Sequence, residues 1–319
     1  MKPFFSLKPQ KQVSFAIALL CVLFVNGCGP SRGDRSASGK PQVVATSTIL
    51  ADLTAQIGAD EIQLTGILTP GTDPHVYEPV PADSVALEKA NLILYNGYDL
   101  EPGLIKLMKA AGSNARQVPV GEVVPSLQLE KAGRTVPDPH VWGSAKNTIR
   151  MAEKIRDVLI ELEPVDRDRF IQNADRLIAD LTRLDRWITQ QIQTIPPNRR
   201  KLVTTHDAFQ YYGQAYSLTI VGTLIGISTE EQPSAQTVKK LVETIKAAGV
   251  PAIFAETTIN PTLIETVAQE AGVKLAPQRL YSDSIGTPDS NGGSYIKMMV
   301  ANTTAIVEAL GGNVSPFPN

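Results

Sequence analysis

Cysteine is nearly absent from this chain of 319 residues, which has only Cys21 and Cys28. Both lie near the N-terminus, so the rest of the chain can form neither a disulfide framework nor a thiolate cluster for a metal. Any metal site there must use nitrogen and oxygen. Charge of one sign is also missing: the formal net charge is −2 and no long basic run occurs, which removes the electrostatic footprint of a nucleic-acid binder. No P-loop pattern and no HExxH pattern is present. Beyond the first 30 residues there is no apolar run of the roughly 20 residues that a membrane-spanning helix needs. What remains is ordinary globular composition, 43% hydrophobic and 19% charged, with enough material for one large domain or two lobes. Histidine is scarce too, with three in all.

The N-terminus has its own order. Lys2, Lys8 and Lys11 precede an apolar stretch from Val13 to Val25, and the small residue Gly27 precedes Cys28. This is signal-peptide architecture over residues 1–27, and it accounts for the segment better than a buried N-terminal helix does. The run Val25-Asn26-Gly27-Cys28 resembles a bacterial lipobox, with Asn26 a departure from the usual pattern. On that resemblance Cys28 becomes the lipidated N-terminus, and several acyl chains together anchor a protein stably. Residues 28–41, polar and rich in Gly and Ser, read as a flexible tether.

From Gln42 onward, short β-rich runs alternate with helical stretches. "QVVATSTI", "IQLTGIL" and "NLILYNG" read as strands, with helices in "LADLTAQIGAD" and "PADSVALEKA" between them. A second series runs from "KLVTTHD" through "LTIVGTLIG", "SAQTVKKLVETIKAAG", "PAIFAE" and "PTLIETVAQEAG" to a last helix near Ser294–Leu310. Such alternation predicts an α/β fold of two lobes, each with a mostly parallel sheet, over residues 42–162 and 198–319. Residues 163–197 carry Phe170, Ala174, Leu177, Leu181, Leu184, Ile188, Ile192 and Ile195 at spacings of three and four, one helical face. With Pro164 at the start and Pro196-Pro197 as the stop, this predicts one long helix joining the lobes; a coiled-coil dimer seam is the competing reading.

Ligands of open α/β sheets bind at the carboxyl ends of strands, and all three histidines occupy positions of that kind: His75 follows "IQLTGILTPGTDP" and His206 follows "KLVTT". His140 follows a less regular segment. His75 and His140 share one setting, Asp73-Pro74-His75-Val76 and Asp138-Pro139-His140-Val141. In each copy proline fixes its own φ and biases the preceding aspartate toward extended geometry, so the imidazole is presented stiffly. Stiff presentation suits a metal ligand and equally an ordinary turn; the residues alone leave both open. Asp73 and Asp138 read first as turn initiators before proline, and second as acceptors that orient a ligand imidazole.

Five segments, taken in order, narrow the choice. "TPGTDPHVYEPVPAD", "DPHVW", "VTTHDAFQYY", "PAIFAETTINPTLIETVAQEAG" and "LYSDSIG" followed by "GSYIKMMVANTTAIVEAL" resemble segments of the zinc- and manganese-binding solute-binding lipoproteins of ABC importers, the cluster A-I or cluster 9 family. The resemblance covers essentially the whole chain after the tether. It implies a metal held between the lobes by His75, His140, His206 and Asp283, so that each Asp-Pro-His copy supplies one ligand of the first lobe. It further implies an extracytoplasmic, lipid-anchored monomer that is not an enzyme and that passes one divalent ion to a permease powered by a cytoplasmic ATPase.

Three imidazoles and one carboxylate suit tetrahedral zinc, and a bidentate Asp283 would raise the coordination toward what manganese accepts. Zinc-specific members often carry a long His- and acid-rich loop, which this chain lacks, and manganese members often have glutamate where His206 stands. Both metals therefore stay open. Glu256, at the end of "PAIFAE", is either an acceptor that orients a ligand imidazole or an ordinary strand-end carboxylate. Trp142, Phe209 and Tyr211 are candidates for walling the site from water. Three other functions compete: a zinc hydrolase with water in a fourth position, an adhesin-like surface lipoprotein with a structural metal, and a carrier of an organic ligand or metal chelate.

Overall fold

The computed structural model describes Met1 and residues 39–111, 114–131 and 133–318. The expected signal peptide, Cys28 and most of the expected tether lie outside the described residues.

In the first lobe, strands β1 (Gln42–Ala45), β2 (Gln63–Gly66), β3 (Leu92–Tyr95) and β4 (Arg116–Pro119) form one parallel sheet in the order β2-β1-β3-β4. Successive side chains of a strand point to opposite faces, and here each face is covered. Val43, Ala45, Leu92 and Leu94 enter one apolar cluster with helix α1 (Thr48–Gly58), whereas Val44 and Ile93 enter another with Leu87 of α2 (Pro81–Lys89) and Leu104 and Met108 of α3 (Pro102–Ala111). The strand expected over "QVVATSTI" stops at Ala45. Ser47 there adopts extended backbone and its hydroxyl accepts from the N–H of Leu50, so the β-branched run that follows starts a helix.

A short antiparallel pair, β5 (Gln128–Lys131) and β6 (Arg134–Pro137), leads to α4 (Ala145–Leu162) and the long helix α5 (Arg167–Gln193). At 1.5 Å per residue the 27 residues of α5 span about 40 Å. Its apolar face, from Phe170 through Leu177, Leu181 and Leu184 to Ile188, is buried within this chain, so it is not free to act as a coiled-coil seam.

The second lobe contains parallel pairs β7 (Lys201–Thr204) with β8 (Thr219–Thr223) and β9 (Ala252–Ile253) with β10 (Lys274–Leu275). The pairs are linked where the N–H of Phe254 donates to the carbonyl of Val203. Helices α6 (Gln210–Tyr216), α7 (Ala235–Ala248), α8 (Thr262–Ala271) and α9 (Tyr295–Ala309) complete it. Alternation works here as well. Val203 and Ile253 face α7 and α8, whereas Leu202 and Phe254 join the same cluster as α1, α4, α5 and α9. One apolar core therefore runs beneath both lobes.

Candidate metal centre

The chain's three histidines and Asp283 meet in one place. Four donor atoms, one from each, all lie within 4.8 Å of one another. Nε2 of His75 is 3.2 Å from Nε2 of His140, which is 3.3 Å from Oδ1 of Asp283; Nε2 of His206 is 3.2 Å from Oδ2 of Asp283. Four donors about 2.05 Å from a tetrahedral ion are separated by about 3.3 Å, so these three spacings are those of a coordination shell. His140, His206 and Asp283 are at most 1% exposed and His75 is 4% exposed. His75 also lines a cleft of about 340 Å³ with Tyr98, Asp99, Ile227 and Glu230.

Local geometry explains how each side chain is held. After β2 the chain turns at Thr69–Thr72, where Pro70 precedes Gly71 at φ +83° and the N–H of Thr72 donates to the carbonyl of Thr69, a type II turn. The repeated tetrapeptide then acts alike in both copies. Oδ1 of Asp73 accepts from the backbone N–H of His75 at 2.9 Å, and Oδ1 of Asp138 accepts from that of His140 at 3.0 Å. These are aspartate turns that fix the histidine two residues on. Pro139 is held in addition, its carbonyl accepting from the amide of Asn96 at 2.9 Å. His206 leaves the end of β7, and its carbonyl accepts from the hydroxyl of Thr204 at 2.9 Å. Asp283 sits in the loop before α9, where Asn302 grips Tyr281 through both its backbone N–H and its carbonyl.

Two carboxylates stand behind the imidazoles. Asp138 Oδ1 lies 2.7 Å from Nδ1 of His140, so Asp138 initiates the turn and also orients the ring; the sequence put the first task ahead of the second, and Asp138 does both. Glu256 spans His206, with Oε2 2.5 Å from Nδ1 and Oε1 accepting from the backbone N–H at 2.8 Å. In both cases the partner on Nδ1 leaves Nε2 facing the cluster. Trp142 packs edge-on to His140, ring centres 5.4 Å apart, and its indole N–H donates to the carbonyl of Ser282 at 2.9 Å. Tyr211 donates its hydroxyl to the carbonyl of Asp138, while Phe209 packs on Tyr212 in the core. Asp138 and Asn302 had only a faint signal: one precedes a histidine by two residues, the other is a plain helix residue.

Burial opposes charge on His140, His206 and Asp283, yet it loses. It disfavours a protonated His140, but the Asp138 and Asp283 carboxylates outweigh it and push the imidazole up to about 9. Burial likewise opposes charge on His206, and Glu256 and Asp283 carry it well above the usual histidine range. Asp283, despite burial, is held well below the usual carboxylate range by His206 and His140. Nε2 of His206 and Oδ1 of Asp283 are buried without an aligned hydrogen-bond partner. Buried polar atoms of this kind need a partner, and a cation among three imidazoles and a carboxylate supplies one. Both oxygens of Asp283 face ring nitrogens, so the donor set extends from N₃O to N₃O₂.

A profile of the family described as zinc-uptake complex component A, periplasmic, matches residues 43–309. The chain belongs to this family. Among its relatives, the manganese-binding lipoprotein MntA of Halalkalibacterium halodurans is 33% identical over 302 residues, covering 94% of this chain and 99% of that one. The manganese ABC transporter substrate-binding lipoprotein PsaA of Streptococcus pneumoniae is 32% identical over 311 residues, with 94% and 99% covered. The solved structure of the periplasmic zinc-binding protein TroA from Treponema pallidum superimposes with a TM-score of 0.81 at 33% identity, covering 85% of this chain and 99% of that one. Members of the family are substrate-binding components of importers rather than enzymes, which ends the hydrolase reading. Their names divide between zinc and manganese.

Proposed function

We propose that this chain captures a divalent transition metal, zinc or manganese, outside the membrane and hands it to the permease of an ABC importer, with His75, His140, His206 and Asp283 as ligands. The observation that carries this reading is the set of four buried donors that all lie within 4.8 Å of one another. The ion is cargo. A site of three neutral imidazoles and one carboxylate leaves net charge +1 around it, and burial strengthens each contact. Asp138 and Glu256 keep the rings of His140 and His206 in the tautomer that offers Nε2.

The first lobe, over residues 42–162, supplies His75 and His140; the second, over 198–319, supplies His206 and Asp283, with the helical segment 163–197 between. Because one apolar core runs beneath both lobes, release proceeds by small movements of the ligand loops rather than by wide hinge opening. The Irving–Williams order makes zinc the tighter ligand of such a site whichever ion is carried. We further propose that Cys28 bears the lipid anchor and that the protein acts as a monomer beside its permease and ATPase.

Calorimetric titration of the metal-stripped chain with zinc and with manganese tests the proposal. One ion per chain is expected, lost on His75→Ala or Asp283→Ala. Failure of both ions to bind contradicts the carrier reading and returns the chelate reading to the front. Slow metal exchange accompanied by unfolding on removal would instead favour a structural ion in an adhesin-like protein.

A further inference from the structure

The loop that carries Asp283 is tied to the opposite lobe by hydroxyl groups that the ligand set does not use. Ser284 follows Asp283 directly and is fully buried. Its Oγ accepts from the backbone N–H of Gly71 at 2.8 Å and lies 3.1 Å from Oγ1 of Thr48. Oγ1 of Thr48 in turn accepts from the N–H of Ile285 at 3.1 Å, and Ser284 donates to the carbonyl of Ile285 at 3.2 Å. One proton arrangement satisfies all four contacts, with Thr48 donating to Ser284. Three segments thus meet: the first turn of α1, the loop leading to His75 and the loop bearing Asp283.

We propose that Thr48 and Ser284 are positioning residues that latch the two halves of the site together and set how slowly the ion leaves. The proposal rests on the metal-site reading above. Thr48 is a fixed post, because the cap of α1 is already made by Ser47 and the adjacent Ile49 and Leu50 are buried. Gly71, four residues before His75, sits in the type II turn at φ +83°, and its N–H meets Ser284. For the ion to escape, Asp283 must part from His75 and His140, and Ser284 must part from Gly71 and Thr48 in the same movement. Contacts that form only when both loops are seated act on departure more than on arrival.

The test uses the full chain loaded with zinc, mixed rapidly with excess chelator. Ser284→Ala and Thr48→Val are each expected to release zinc roughly three- to tenfold faster, the range that loss of one or two net hydrogen bonds gives. Thr48→Ser, which keeps the hydroxyl, is expected to restore slow release. The double variant should accelerate release by less than the product of the singles, since both break one network. A merely structural role would lower the melting temperature of the metal-free protein without this hydroxyl dependence; if Ser284→Ala does not fold, the Thr48 pair decides. Release within about twofold of the unsubstituted chain in both single variants overturns the latch, as does Thr48→Ser releasing as fast as Thr48→Val. An unsubstituted chain that binds no zinc overturns the metal site itself, and the latch with it.

Discussion

At the scale of single residues, the proposed site sets protons and an ion in competition for the same nitrogens. His140 in the folded, metal-free protein holds its proton up to about 9, against an ordinary value of 6.5. Its contribution to stability is therefore full below about pH 6.5 and is lost as pH rises through about 9. A metal needs the neutral ring, so binding must expel that proton, and apparent affinity should rise by about tenfold per pH unit for each proton displaced until His140 titrates near pH 9. Calorimetry at pH 7 in buffers of differing ionisation heat should register at least one proton released per ion; no release would show that the rings are already neutral. Asp138→Asn and Glu256→Gln each remove a carboxylate behind a ring, and metal affinity should fall by about 10- to 100-fold with stoichiometry unchanged. His206→Glu replaces a nitrogen donor with oxygen and should narrow the preference for zinc over manganese, measured as the ratio of the two dissociation constants.

Elements explain why these side chains meet, and also which parts of the site could be read beforehand. The aspartate turns are written in the two Asp-Pro-His copies, and the span of α5 in its apolar face. Less was visible where a residue acts across the fold. Asn302 looks like any polar helix residue until the backbone of Tyr281 is brought beside it, and Asp138 reads as a turn former until the ring of His140 folds back over it. Pairing across two lobes depends on contacts far apart in the chain, and local pattern carries no trace of them. Helix α5 belongs to the frame rather than the site. Leu181→Ala, in its fully buried face, should cost about 2–5 kcal/mol in denaturant unfolding while the metal stoichiometry of the folded fraction stays the same. Loss of metal binding without loss of stability would contradict that division.

For the whole molecule, a continuous core beneath both lobes is expected to confine change to the loops that bear the four proposed donors. Ligand binding to the folded state alone then adds directly to stability. An ion at a thousand times its dissociation constant should stabilise the fold by about 4 kcal/mol, seen as a higher melting temperature, and at fixed ion concentration the gain should grow as pH rises toward about 9 and fewer protons compete for His140. Scattering in solution should show little change in the radius of gyration on loading; a large contraction would mean that the lobes hinge after all. The central claim is that His75, His140, His206 and Asp283 form the shell of the transported ion, and X-ray absorption at the metal edge of the zinc-loaded chain tests it most directly. The account predicts three imidazole nitrogens and one or two carboxylate oxygens at about 2.0–2.2 Å, with the imidazole signal reduced by one in His75→Ala. A shell with fewer than three imidazoles, or one unchanged by that substitution, would contradict it.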